Sequence, residues 1–454
     1  MISVLFTVSR AVTIIAILVV LGLVVFAYMK GNLVSKRSLK YTLKKDRAQG
    51  VIFGKRGPAY YYSPASAEGH VFVGGGSGTG KTSALLIPTL RSWPGPSFCI
   101  DISGDISANV DNGRKLIYDP WSDSSVSYNV FAPIDELDDD ADRAEALAQL
   151  ALLIMPELRN SSANADYYQD GGRAILTAAL IWGYHTGKDF IEICSEILGS
   201  SYTDLFRKID LSKDESAIYY INQFQGNNEA NIAGCMQNAD RAVELFATNR
   251  RVKSSIRRPA PGEEALSCSS IEDHNVYVLI PDAKLDLLAP LLHIITAQTL
   301  NYLADRSSDR KEPILLALDE FVSLGKLEIG PALRKLRKRR VRIMVLTQSM
   351  ADIDEIYSRD TRMSMMNNFA FKIILSAGDT DSQRYYADLI GKKEVKKIST
   401  TSGSAWSGQS ATETKSTERV YVIEPEDLAS LGNELILLYP GGHKRLRKNF
   451  YFKK

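Results

Sequence analysis

The run Gly75-Gly76-Ser77-Gly78-Thr79-Gly80-Lys81-Thr82 constrains this chain more than any other feature. It satisfies G-x-x-x-x-G-K-[ST], follows the apolar stretch His70 to Gly74, and opens a helical pattern from Ser83 to Arg91. A strand, a glycine-rich turn and a helix in that order put backbone N–H groups at a helix N-terminus, where they wrap a phosphate. Lys81 then reaches the β and γ oxygens and the Thr82 hydroxyl ligates Mg²⁺, with Ser83 the next member of the phosphate-binding set. ATP and Mg²⁺ are the expected cofactors.

A P-loop needs a sheet around it. Short apolar runs follow at Ser97 to Asp101, Lys115 to Tyr118, Val276 to Ile280, Ile314 to Leu318, Ile343 to Thr347 and Phe371 to Leu375. Continuous apolar runs of strand length predict central strands of a parallel sheet covered on both faces, hence an α/β layered domain. The run Ile314 to Leu318 ends in Asp319-Glu320. Asp319 is expected to hold the metal through water and Glu320 to polarise the attacking water, so the tandem carboxylates point to hydrolysis. Gln348 closes the next strand, where an amide can contact the γ-phosphate and report nucleotide state.

Between the two groups of strands, residues 135 to 261 read as helices, including Ala141 to Met155, Gln169 to His185 and Asn228 to Asn249. An all-helical insertion with an acidic opening, Asp135 to Glu145, follows, part of that acidity being first-turn charge that complements the helix dipole. The expected division is 1–29, an N-terminal tail and transmembrane helix; 30–56, a basic linker; 57–134 and 262–454, two parts of the nucleotide-binding domain; and 135–261, the helical domain. The span rests on Ala11 to Met29, which holds no charged side chain and approaches the bilayer's hydrocarbon thickness. Only Arg10 precedes it, whereas nine basic residues from Lys30 to Arg56 follow with Asp46 as the lone acid, so the bulk of the chain is expected in the cytosol.

Lys+Arg number 55 against 53 Asp+Glu, a net +2, which excludes a uniformly basic nucleic-acid binder while permitting local segregation. Seven of the nine residues Arg334 to Arg342 are basic; such a run is either a solvated helix face or, in a ring of subunits, the source of an arginine finger and the lining of a channel that carries a polyanion. Cys99, Cys194, Cys235 and Cys268 lack zinc-ligand spacing and read as buried thiols. Ile398 to Thr417, rich in Ser, Thr and Gly, reads as a flexible loop, with Trp406 a candidate anchor. Tyr60, Tyr61 and Tyr62 are either packed strand residues or base-stacking rings.

Taken with YNVFAPI, DYYQDGGRAILTAAL, ILLALDEFVSLGKL, IMVLTQSMADIDEIY and the closing RVYVIEPEDLASLGNELILLYPGGHKRL, the constellation resembles the type IV coupling proteins of bacterial conjugation and type IV secretion. The resemblance implies a RecA-like motor domain, a helical domain that recognises substrate, a hexamer at the inner membrane, and ATP-driven transfer of single-stranded DNA with its relaxase, or of effector proteins, into the channel components of the secretion system. By position Arg337 resembles the family's trans-acting arginine, with Arg339 and Arg340 close by. Two departures stand out: one membrane span where the family has two, and Asp101-Ile102-Ser103-Gly104-Asp105 where the family places a lysine. A chromosome-segregation pump would append a winged helix, for which the stretch after Thr417 is too short. A non-hydrolysing nucleotide-gated adaptor would have no use for the tandem acids.

Overall fold

The computed structural model describes residues 42–43, 48–102, 104–158, 162–307, 309–327, 329–401 and 412–452. The expected membrane span, most of the basic linker, Ser103 and Trp406 lie outside the described residues.

The strands are β1 Thr42–Leu43, β2 Gly50–Arg56, β3 Ala59–Pro64, β4 His70–Gly74, β5 Ser97–Asp101, β6 Lys115–Tyr118, β7 Ser127–Tyr128 and β8 Ala265–Leu266. They continue as β9 Asn275–Leu279, β10 Ile314–Leu318, β11 Val341–Thr347, β12 Phe369–Ile374, β13 Lys392–Thr401, β14 Thr412–Tyr421, β15 Glu434–Tyr439 and β16 Gly442–Arg447. Twelve of them form one sheet in the order β1-β3-β2-β16-β15-β12-β4-β11-β10-β5-β9-β6. From β12 to β6 every pairing is parallel. The other half, joined through β12 and β15, is antiparallel.

Alternation along the central strands explains their unbroken apolar sequences. Ile314, Leu316 and Leu318 of β10 enter one core with Ile343 and Val345 of β11, while Leu315 and Ala317 enter the opposite core with Met344 and Leu346. Both faces are covered, so no position faces water. One cover is the helix Leu285–Asp305, which is long and apolar enough to cross a bilayer. Its Leu288, Leu291, Leu292 and Ile295 are buried in the same core as β10, so it packs here as a core helix.

The antiparallel half corrects the expected linker. Gly50–Arg56, assigned from sequence to the basic linker 30–56, is a strand whose Val51 and Phe53 are fully buried beside β4 residues. Tyr60, Tyr61 and Tyr62 lie on β3, with Tyr62 buried and Tyr61 under Lys444 at 5.6 Å.

The helices of the insertion run Ala132–Asp135, Asp140–Ile154, Ala163–His185, Phe190–Gly199, Tyr202–Ser212, Glu215–Asn222, Glu229–Thr248 and Arg250–Ser255. From Asp140 onward each begins on an Asp, Ser or Asn whose side chain accepts from a first-turn N–H. The acidic opening is thus partly a cap: Asp139 accepts from Ala141 and Asp142, whereas Asp135 pairs with Arg258 at 2.8 Å. The insertion leaves and rejoins the sheet domain at one stem, where β7 and β8 pair in parallel. Tyr128 Oη donates to Gln298 at 2.6 Å, and Gln298 donates to Val130 O at 3.0 Å, which fastens that stem to the helix Leu285–Asp305.

The Ser/Thr-rich stretch differs from expectation. Residues 398–401 and 412–417, read as loop, belong to the hairpin β13–β14, ten paired positions long. All four cysteines are buried free thiols, and burial raises the pKa of each.

Candidate nucleotide site

β4 lies between β11 and β12, so the carboxyl ends of three parallel strands deliver their loops to one place. Register makes this concrete: Gly74 pairs with Thr347 and with Ile374, and Gly75 N–H donates to Thr347 O at 3.1 Å. Beyond Gly74 the chain turns through Gly78 (φ +71°) and Gly80 (φ +96°), left-handed conformations that glycine adopts without strain. It then enters a π-helical turn, Lys81–Leu86, that continues as Ile87–Ser92.

The Lys81 ammonium is tucked into this loop, donating to Gly75 O at 2.9 Å and Gly76 O at 3.4 Å, and lying 3.9 Å from Glu320. Thr79 Oγ1 donates to Gly76 O at 2.7 Å, bracing the turn. Ser77, the loop's tip, is exposed. The glycine at 76 donates its N–H to Ser376 Oγ at 3.3 Å, a contact from the loop after β12.

Across the cleft, the end of β10 brings Asp319 within 3.1 Å of the Thr82 hydroxyl, which donates to it. Burial, reinforced by the charge of Glu320, pushes the Asp319 carboxyl up to about 6. Glu320 has φ +44°, one of four non-glycine residues with positive φ among the described residues. A carboxylate held in the left-handed region at a strand end is the kind of strain that accompanies a functional position. Gln348 Nε2 donates to both Glu320 oxygens, at 3.2 and 3.1 Å, linking the ends of β10 and β11. The hydroxyl of Thr82 and the carboxylate of Asp319 form a hard-oxygen pair suited to Mg²⁺, and Gly78 and Gly80 leave the cradle free of side chains, so these residues fit a metal–nucleotide complex.

The sheet thus brings together Gly75, Gly76, Gly78, Thr79, Gly80, Lys81, Thr82, Ser83, Asp319, Glu320 and Gln348. Arg337 is elsewhere. It precedes β11, whose other end is at the site, and seven strand residues span roughly 20 Å. There it pairs with Glu68 at 2.7 Å, both side chains exposed. The basic run is also less uniform than its sequence: Leu336 is buried, and Arg342 is buried on Gly69 O, Ser63 and Pro64 O, with desolvation lowering its pKa to about 9. Arg342 is therefore a strut of the fold and offers no charge to a channel.

Sequence reasoning missed Ser376 and Tyr386. Tyr386 Oη sits 2.0 Å from where a Cβ on Gly74 would lie and is buried without a hydrogen-bond partner. Their available signal was position: a loop following the strand adjacent to the P-loop strand must reach the site. Asp101, the acid ending β5, instead accepts from Ile106 and Ser107 N–H and caps the helix Asp105–Asn109.

The chain matches the family described as type IV secretory system conjugative DNA transfer over residues 29–454. It is 24% identical to the protein VirD4 of Agrobacterium fabrum over 92% of this chain and 64% of that one. It is 20% identical to a conjugal transfer protein TraG of Rhizobium radiobacter, over 89% and 65%. The chain spans less than two thirds of the length of these curated relatives. Among solved structures, the plasmid coupling protein TrwB bound to the non-hydrolysable ATP analogue ADPNP shares the fold with a TM-score of 0.70 and 19% identity, covering 93% of this chain and 92% of that one. TrwB with ADP and Mg²⁺ gives 0.68 and 20%, with the same coverage.

Proposed function

Because the chain belongs to the type IV secretory system conjugative DNA transfer family, we propose that it is a coupling ATPase. In this reading a RecA-like motor, anchored in the inner membrane by residues 11–29, passes single-stranded DNA with bound relaxase, or effector proteins, to a type IV secretion channel. The plasmid coupling protein TrwB, which shares the fold, was solved with ADP and Mg²⁺ and with an ATP analogue, which supports the same cofactors here.

The observation that carries the reading is the Gln348–Glu320 contact opposite Lys81. Bound Mg²⁺ would neutralise charge on the β- and γ-phosphates. Thr82 and Asp319 are the residues that would hold that ion. Lys81 exchanges the Gly75 and Gly76 carbonyls for phosphate oxygens, gaining a charged partner in place of neutral ones. Glu320 takes up the attacking water, and Gln348, bonded to the same carboxylate, changes partner when the γ-phosphate leaves. Ser376, on the Gly76 N–H, senses the loop from the β12 side. Motion then has a route to the hairpin β13–β14, since the helix Thr380–Ile390 carries Tyr386 under Gly74 and leads directly into β13. The helical insertion is the cargo-selecting part, and Arg337 acts on a neighbour's γ-phosphate in a hexamer.

The test is ATP turnover by the full chain with and without single-stranded DNA. Turnover should rise with DNA, Lys81→Ala should remove it, and Glu320→Gln should bind ATP yet turn over about 100-fold more slowly or worse. A wild-type chain that binds ATP but hydrolyses none, with DNA or with protein substrate, would make it a nucleotide-gated adaptor.

A further inference from the structure

The site as described grips phosphates only; nothing in it touches a base. The chain after β16 returns to the P-loop. Lys448 N–H donates to Asn433 O at 2.8 Å, and Tyr451 N–H donates to Ser83 O at 3.0 Å, which pins this segment onto the first turn of the P-loop helix. Arg91 lies over the Tyr451 ring at 5.1 Å. Phe450 is thereby pressed against the loop itself: a Cβ on Gly80 would stand 3.0 Å from its Cε1 and 3.5 Å from its Cζ. Phe452 follows with its ring centroid 5.4 Å from that of Phe450, and it is 60% exposed.

A single exposed phenylalanine is ordinary. Here the ring neighbours one that touches the loop, on a segment fastened one residue beyond Thr82. Lys81, Thr82 and the acid pair define the β,γ end of a bound triphosphate. Ser83 is next along the backbone, so the α-phosphate and the nucleoside leave on its side, where the aromatic pair stands. We propose that Phe450 and Phe452 form the platform on which the base of a nucleoside triphosphate stacks. This rests on the nucleotide reading of the P-loop. Stacking on a ring face reads no base edge, so the platform confers nucleoside affinity with little choice between bases.

Equilibrium binding of ATP and of inorganic tripolyphosphate to the full chain, each with Mg²⁺, separates the two claims. In Phe450→Ala/Phe452→Ala, ATP should weaken about tenfold or more while tripolyphosphate stays within about twofold of wild type. Phe450→Trp, which keeps a ring, should retain ATP affinity, and its fluorescence should respond to ATP and not to tripolyphosphate. Unchanged ATP affinity in the double variant overturns the platform. So does a parallel loss of both ligands, which would mean that the rings only shape the loop. If the wild-type chain binds neither ligand, the nucleotide reading itself falls along with the platform.

Discussion

At the scale of the residue, Asp319 is held where its charge is costly. An unfolded carboxylate ionises near pH 3.9, and burial moves this one to about 6. Between those values the folded chain holds more protons than the unfolded one, so this group removes stability as pH rises through the window and the deficit is complete above it. His70 works in the opposite sense: buried between Leu333 O and Ile343 N–H, its pKa is lowered to about 4, so stability is lost as pH falls from about 6.5 towards 4. Asp319→Asn isolates the first effect. At pH 7.5 it should raise the unfolding free energy by about 1–2 kcal/mol in urea titration, and the gain should disappear towards pH 4. Glu320 carries a backbone counterpart of this cost. Because glycine tolerates φ +44° without strain, Glu320→Gly should leave stability unchanged or raise it by about 1 kcal/mol while abolishing the proposed hydrolysis. The P-loop, the acid pair and Gln348 were legible in the sequence because each is a short motif on a strand end. Ser376, Tyr386 and Phe450 were not, since no local pattern marks them and only tertiary structure brings them to residues 74–80.

Elements differ in how they announce themselves. The helices Ala163–His185 and Glu229–Thr248 approach closely because Gly171, Gly172 and Gly234 present no side chain: a Cβ on Gly171 would lie 2.3 Å from Cys235 Sγ, and one on Gly234 2.5 Å from the Tyr168 ring. Gly171→Ala should therefore destabilise by about 1–3 kcal/mol, and adding Cys235→Ala should restore part of the loss, as calorimetric midpoints of the single and double variants would reveal. Strand β2 was missed since basic residues surround it in sequence. The hairpin β13–β14 was missed for another reason: its residues from Lys392 to Lys397 are all exposed, so no buried face imposes an apolar alternation to be read. Among the described residues it meets the body through Tyr421, whose ring packs on the main core and whose Oη donates to Asp388, and through Val422 N–H donating to Gly391 O. Replacing residues 393–420 by a short turn should preserve the circular dichroism of the remainder and its ATP affinity.

For the whole molecule, the net charge of +2 conceals separation: basic side chains gather before β11 and along β16, at a distance from the acid pair. Among the described residues Arg337 pairs with an exposed Glu68, a contact worth about 1 kcal/mol or less, so Arg337→Ala should barely alter stability. If it serves a neighbouring subunit, the same change should cost about 1000-fold in turnover. Mixing Arg337→Ala chains with inactive Lys81→Ala chains should then restore part of the activity, because a heteromeric ring contains interfaces with both groups intact. Absence of rescue would place the residue's role within its own subunit.

The paired stem β7–β8 has a consequence for how such a protein can change over time. Entry and exit of the insertion lie one interstrand spacing apart, with Asn129 N–H donating to Leu266 O at 2.9 Å and Arg257 N–H donating to Tyr128 O at 3.1 Å. Everything between is topologically a cassette: its two ends can be cut and joined to another helical module without moving a strand of the sheet. The helical module can therefore be exchanged by recombination at the stem while the sheet domain that carries the P-loop is inherited unaltered.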